Sequence, residues 1–373
     1  PIGNGHVAAN VNYESADDAI EVLIAASTAW AEDQEFMKVA HMTVQLPSRG
    51  GAPLTSGFSQ TFNPQTATVT FEIPAGGSAP ALTVTAYVDA WHDAVVVSSS
   101  PPHPDITASL TVIRNQSFTR MPSWDCVSFP ISADVKTADG LKVYHRNALS
   151  PSESYMANAL KHTNIPPVPD FEDPLINRTT GVQLDQVLPA DSKATTFAGT
   201  VLTVQTPTAE EYEMLLNMTA TQFLLAQQPG AFPPPTHLSY WAKKWASHSI
   251  TVRSNAASAS FREAFIVSQQ YVLQRFIELS QARVPGTVIK FNGMMYTANR
   301  APKEDFNSWG GLNWWQNLRL PYYNMATAGD FPELMSVLIA FNNTIPIARA
   351  RTQAYFGFDG LFWPEYTSLF YGI

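Results

Sequence analysis

The 373-residue sequence contains a single cysteine, Cys126, so it cannot form an internal disulfide. That cysteine sits beside Trp124 with no adjacent histidine to activate it, and it reads as a small buried hydrophobe rather than a nucleophile. Charged residues are scarce at 14%, and the net charge of −9 leaves no basic field for nucleic acid or an anionic membrane. No apolar run approaches the roughly 20 residues needed to span a bilayer. His6, His41, His92, His103, His145, His162, His237 and His248 show neither HxH nor HExxH spacing, which argues against a transition-metal site. The glycine pairs Gly50-Gly51, Gly76-Gly77 and Gly310-Gly311 lack the lysine and the strand-to-helix setting of a phosphate loop. Neither a metal nor an organic cofactor is expected.

What the chain does have is aromatic and rigid. Aromatic residues reach 12%, nine of them Trp, and Pro outnumbers Gly 28 to 19, a balance that suits a large extracellular or secreted enzyme with stiff loops. The length exceeds the usual single-core limit and favours two domains. The chain begins at Pro1 with no Met and no leader, so a trimmed or excised segment of a longer polypeptide is expected.

Periodicity divides the chain. From Thr43 to about Val204 the pattern is that of strands, with Val69, Phe71 and Ile73 alternating with Thr68, Thr70 and Glu72. Turn signals such as Pro74 to Gly77 and Asp139-Gly140 punctuate it as an antiparallel sandwich requires. The early segment Asp17 to Ala31 fits a helix or a strand, with Ile20, Leu23, Ile24 and Ser27 at helix-like spacing. The period changes at Thr206-Pro207-Thr208, followed by Glu210, Glu211 and the apolar Met214, Leu215, Met218 and Phe223. A long helix over 256–282 is expected to turn Phe261, Phe265, Val272, Phe276 and Leu279 inward; further helical stretches run from Trp314 to Ala328 and from Phe331 to Phe356. The predicted fold is multidomain, β then α: an antiparallel β-sandwich over 1–206, a helical linker over 207–255, and part of an (α/α)6 toroid over 256–373.

The run Asn307 to Asp330 sets Trp309, Trp314 and Trp315 among Asn307, Asn313, Gln316, Asn317 and Arg319. Flat indole faces beside amide and guanidinium hydrogen-bonders suit a sugar ring, which is apolar above and below and hydroxylated at its rim. A buried helix with satisfied amides is the competing reading. Trp314 and Trp315 are adjacent, so on a helix they point about 100° apart and only one can face a ligand. Arg319 suits a fork of hydrogen bonds to a sugar and equally an interhelical ion pair.

Pro1-Ile2-Gly3-Asn4-Gly5-His6 with Ala8 to Val11, Tyr87 to His92 with Ala94 to Val97, Trp241 to His248, Phe291-Asn292-Gly293-Met294, and Asn307 to Asp330 follow one another in an order that resembles glycoside hydrolase family 95 and related glycosidase-like proteins. The likeness is nearer to an uncharacterised branch with WWQN and RLPYY than to the fucosidases. It implies an N-terminal β-sandwich, a helical linker and an (α/α)6 barrel of which part is missing here, and glycoside hydrolysis with inversion.

Inversion requires a protonated carboxylic acid and a base carboxylate about 6.5 to 9.5 Å apart. By the resemblance, Asn313 and Asn317 take the places of water-holding asparagines, whereas Gly311 stands where another Asn belongs and departs from the pattern. Glu365, in Phe358 to Glu365 with Trp363, is the candidate acid; a dipole-favoured Glu at a helix start after Pro364 is the alternative. Asp359 and Asp305 read as turn and cap residues. Trp309, Trp314, Gln316, Arg319, Trp363 and Asn292 are the expected substrate contacts. The expected function is a glycosidase acting on a poly- or oligosaccharide, with two alternatives: a polysaccharide lyase with Tyr322, Tyr323, Asn317 and Arg319 as machinery, or a non-catalytic carbohydrate binder. The expected partner is carbohydrate, not nucleic acid or membrane.

Overall fold

The computed structural model describes residues 1–51, 54, 57–121, 127–169, 171–187, 193–227, 232–254, 259–290, 293–297 and 311–368. Strands β1 (Ile2–Gly3), β2 (Val7–Glu14), β3 (Ala19–Trp30) and β4 (Phe36–Gln45) pair antiparallel in succession. Strands β5 (Ser59–Asn63), β6 (Thr68–Ile73), β7 (Leu82–Val88) and β8 (Ala94–Ser100) do the same in a second sheet. The chain then returns through β9 (Thr107–Thr111), which closes the first sheet against β4. After the short ribbon β10 (Phe118–Arg120) and β11 (Phe129–Ile131) come β12 (Val135–Lys136) and β13 (Lys142–Arg146). Helix α1 (Tyr155–His162) precedes β14 (Arg178–Val187) and β15 (Thr195–Gln205). The first sheet therefore has the order β1-β2-β3-β4-β9 and the second β12-β13-β14-β15-β8-β7-β6-β5.

The two sheets share one core because each presents alternate apolar residues to the other, among them Ile24, Met42 and Val44 facing Val84, Val97, Val182 and Val201. The segment Asp17 to Ala31 is a strand, not a helix. Ile20 and Ile24 pair with Val44 and Ala40 of β4, and a strand flanked on both edges satisfies its backbone without helical turns.

The larger sheet is covered on its outer face too. Helix α2 (Ala209–Ala226) starts where Thr208 Oγ1 accepts the Glu211 N–H at 3.1 Å, and it lays Tyr212, Leu216, Ala220 and Phe223 on β14 and β15. Met214 and Met218 are exposed, because the buried stripe follows the Tyr212-Leu216-Ala220-Phe223 line. Helix α3 (Pro235–Ser247) packs Trp241 with Ala67, Ala90 and Phe276.

The rest of the described chain is mainly helical. Helix α4 (Ala259–Leu279) buries Phe276 and Leu279 only near its C-terminal end, where it meets the sandwich; Phe261 and Phe265 face solvent and Val272 is half-buried, contrary to expectation. Strand β16 (Leu312–Trp314) precedes helix α5 (Trp315–Ala328), so Trp314 is extended rather than helical. The expected helical stretch 331–356 is two helices, α6 (Phe331–Asn343) and α7 (Ile345–Phe356), divided at Thr344 because Pro346 lacks the N–H that would continue the first and fits the start of the second. Strand β17 (Tyr366–Ser368) returns to pair with β16. No helix among the described residues is long and apolar enough to cross a membrane.

Candidate functional site

The motif-like N-terminus works as a joint between sandwich and helices. Asn4 Nδ2 donates to the carbonyls of Asp89 at 2.8 Å and His92 at 3.1 Å, while its Oδ1 accepts from the His6 and Val7 amides. The Asp89 carboxylate in turn holds the Trp91 and His92 amides at 2.9 Å. Gly5 exchanges backbone hydrogen bonds with Ser280 and Arg283, at the exit of α4. Its φ of +96° and a would-be Cβ only 2.3 Å from Arg283 Cβ leave room for glycine alone. A Cβ built on Gly3 would stand 2.5 Å from the Tyr296 hydroxyl.

The strand pair β16–β17 brings two predicted segments together. Asn313 lies opposite Thr367 and Trp314 opposite Tyr366, with ring centres 5.8 Å apart, and the Trp315 amide donates to the Glu365 carbonyl at 3.1 Å. Trp315 and Trp363 both meet Phe341 edge-to-face, at 5.3 and 6.0 Å, and the Trp363 indole N–H donates to Thr344 Oγ1 at 2.9 Å. Trp315 is about half-exposed and Trp314 partly buried, so the adjacent tryptophans do diverge. Gln316 and Glu365 are exposed and Asn317 is half-buried. Glu365 precedes a strand, so the helix-start alternative for it does not hold: its neighbours are committed to the ladder with β16. Arg319 lies over the Tyr323 ring at 6.0 Å, and the interhelical ion pair is not formed among the described residues.

Asn313 is buried. Its Nδ2 donates to the Gly311 carbonyl, while its Oδ1 has no hydrogen-bond partner among the described residues. It faces a cavity of about 10 Å³ lined also by Thr344 and Thr367, the space of a single water. Tyr322 is buried, and its hydroxyl accepts the Ile289 amide at 2.8 Å. Trp309, Asn292, Asn307, Asp305 and Cys126 lie outside the described residues.

A second constellation lies between α4 and α5, in a cleft of about 120 Å³. Its rim carries Ile250, Gln274, Asn324 and Thr327, and its floor carries Arg275, Glu278 and Asp330, all buried. Arg275 Nη2 donates to Asp330 Oδ1 at 3.1 Å while Nη1 lies 3.0 Å from Oδ2, a two-point ion pair. Glu278 accepts from Gln274 Nε2 at 2.8 Å and from Asn324 Nδ2 at 3.2 Å. Burial pushes the Glu278 carboxyl above its ordinary range, the nearby Asp330 charge adds to this, and the two amides and Arg275 only partly offset it. On one side the Tyr271 hydroxyl and His248 Nδ1 share a short hydrogen bond. The two floor carboxyls thus sit in opposed settings, one enclosed among amides and the other held by a guanidinium.

The sequence reading missed Gln274, Arg275 and Glu278. Their signal was weak: three polar residues at i, i+1 and i+4 on a helix judged by its apolar positions, with partners on a distant helix. Asn324 and Asp330 fell within the aromatic run already singled out. Asn317 is seven residues before Asn324, so both lie on one face of α5, two turns apart. Among the described residues no group of three or more His, Cys, Asp or Glu could hold a metal ion.

No curated protein matches the chain. A family profile described as a domain of unknown function (DUF5703), in its N-terminal part, matches residues 1–222, which takes in the whole sandwich and most of α2. With 222 of 373 residues matched, the chain belongs to the DUF5703 family.

Proposed function

We propose that this protein is a glycoside hydrolase whose acid and base lie on the floor of the cleft between α4 and α5. The observation that carries the reading is the enclosed Glu278 carboxyl, pushed up by burial, beside an Asp330 carboxylate held by Arg275. A general acid needs a carboxyl raised above its ordinary range, which Glu278 is, and Asp330, ion-paired to Arg275, is the carboxylate left for the base. Glu278 donates its proton to the glycosidic oxygen as the bond from the anomeric carbon to that oxygen breaks. Asp330 takes a proton from the water whose oxygen attacks the anomeric carbon from the opposite face, giving inversion. The acid role goes to Glu278 rather than Glu365 because Glu365 is exposed at the lip of the strand pair. Gln274 and Asn324 at the rim, with Asn317 two turns back on the same face of α5, supply a row of amides for hydroxyls.

A lyase reading draws on the Tyr271–His248 pair beside Arg275, the base and cationic neutraliser that elimination from a uronate needs. Arg275 is already committed to Asp330, and a uronate would meet two carboxyls on the floor, which favours the hydrolase. Incubation with glycans separates the readings. Hydrolysis gives reducing ends alone, elimination gives unsaturated products that absorb in the ultraviolet, and Trp fluorescence quenching without turnover would leave a binder.

A further inference from the structure

The larger cleft lies on the sandwich, where the strap between β8 and β9 crosses from one sheet to the other. It encloses about 530 Å³, within the range of roughly 300–1,000 Å³ typical of ligand clefts. Its floor is Phe197 with Ile106, and Pro102 and Pro104 wall one side. The polar groups at its edge are His103, Thr107, Gln186 and Thr195; among the described residues no Asp, Glu, Lys or Arg lines it, and the Asp105 carboxylate lies 3.8 Å from His103 Nδ1.

The strap is pinned. The His103 amide donates to Thr195 Oγ1 at 3.3 Å, the Ile106 amide to the His103 carbonyl at 3.2 Å, and the Asp105 amide to His103 Nδ1 at 3.2 Å. Because Nδ1 accepts, a neutral His103 ring carries its proton on Nε2 and offers it as a donor. The exposed Gln186 amide adds a donor and an acceptor from the neighbouring strand β14. Prolines and these hydrogen bonds fix the cleft before anything binds, which lowers the ordering cost of association.

We propose that this cleft is a second carbohydrate-binding site, separate from the helical cleft, that takes a segment of a neutral glycan. Among the described residues the lining holds no Lys or Arg, so it offers no fixed positive charge to a phosphate or a uronate. The exposed edge of the largely buried Phe197 ring and the two prolines give apolar surface beside neutral donors and acceptors, which matches a sugar face and its hydroxyl rim. The inference stands on the sandwich alone and is independent of the hydrolase reading.

The test is calorimetric titration of the whole protein with short neutral oligosaccharides built on glucose, mannose and xylose, using Glu278→Gln to silence turnover. Binding to at least one of them is expected to survive Glu278→Gln. It should weaken about tenfold in the His103→Ala/Gln186→Ala double variant, as loss of two hydrogen bonds implies. Gln186→Ala alone, at an exposed position, should show part of that loss with unchanged circular dichroism. Absence of binding to every neutral probe, or equal affinity in the double variant, would overturn the proposal. Hydrolysis could fail altogether while this binding persists, so the two proposals stand or fall separately.

Discussion

A Cβ built on Gly311 would stand 2.1 Å from the carbonyl oxygen of Gln34, so the start of β16 rests directly on the turn between β3 and β4. That turn, Glu32 to Glu35, is buried throughout, and Gln34 holds a left-handed φ of 56°. The glycine that departs from the family 95 pattern is therefore a packing requirement of the sandwich-to-helix contact. An asparagine there would have no space.

Gly311→Ala should destabilise the protein by about 2 kcal/mol or more, and Gly311→Asn further still, since the neighbour is backbone and cannot step aside. Urea unfolding measures this. A Gly311→Ala variant as stable as the wild type would contradict the contact.

Gly5→Ala should loosen the joint between sandwich and helices, because it adds a clash with Arg283 to an unfavourable φ. Hydrogen exchange should rise first at the amides of Gly5 and Arg283, which bond across the joint. Unchanged protection at both would refute it.

The sandwich buries an ionic cluster that ties its stability to pH. His145 sits between Glu32 and Asp134 at 3.0 and 3.1 Å, and Asp134 also binds Arg114 at 2.7 Å. Burial alone would raise the Glu32 carboxyl, but hydrogen bonding and charge from His145 outweigh it and bring it down from 4.5 to about 2. Burial and Arg114 oppose a proton on His145, and the two carboxylates outweigh them, leaving it above its ordinary value. Glu32 thus contributes stability above its ordinary value that is lost as pH falls toward about 2. His145 contributes stability below 6.5 that is lost as pH rises through its raised value. Glu32→Gln should cost about 3 to 5 kcal/mol at neutral pH by leaving partners in the cluster uncompensated. It should also flatten the fall in melting temperature at acid pH; a parallel fall in both proteins would contradict this.

Glu278 has the opposite sign from Glu32. A carboxyl raised in the fold contributes most below its ordinary value, and that contribution disappears as pH rises through the raised value. Glu278→Gln should therefore leave stability near neutrality unchanged or slightly higher and remove this part of its pH dependence. Chemical denaturation at two pH values checks it. A large loss of stability at neutral pH would show the charged form to be favoured instead.

The β half was legible because alternation, as in Val69, Phe71 and Ile73, is itself the signal of a strand with one face in the core. The start of α2 was legible for a similar reason, since Thr208 followed by Glu211 is a local capping pattern. Segment 17–31 was ambiguous because both faces of β3 are largely buried, which erases the alternation that separates strand from helix. Phe261 and Phe265 misled because apolar spacing on α4 does not say which turns have a neighbour. The aromatic run was visible as composition, yet what it packs against was not: β17, which aligns Glu365 beside Trp315, lies some fifty residues away. The same distance hid the cleft, whose Asn324–Glu278 and Arg275–Asp330 contacts join residues 46 and 55 apart in sequence.

The central claim is tested most directly by the rate of glycan hydrolysis, measured by release of reducing ends across pH, in the wild type, Glu278→Gln and Asp330→Asn. The predicted result is a loss of about a hundredfold or more in each variant with binding retained, and disappearance of the alkaline limb in Glu278→Gln. Unchanged turnover in Glu278→Gln would contradict the account.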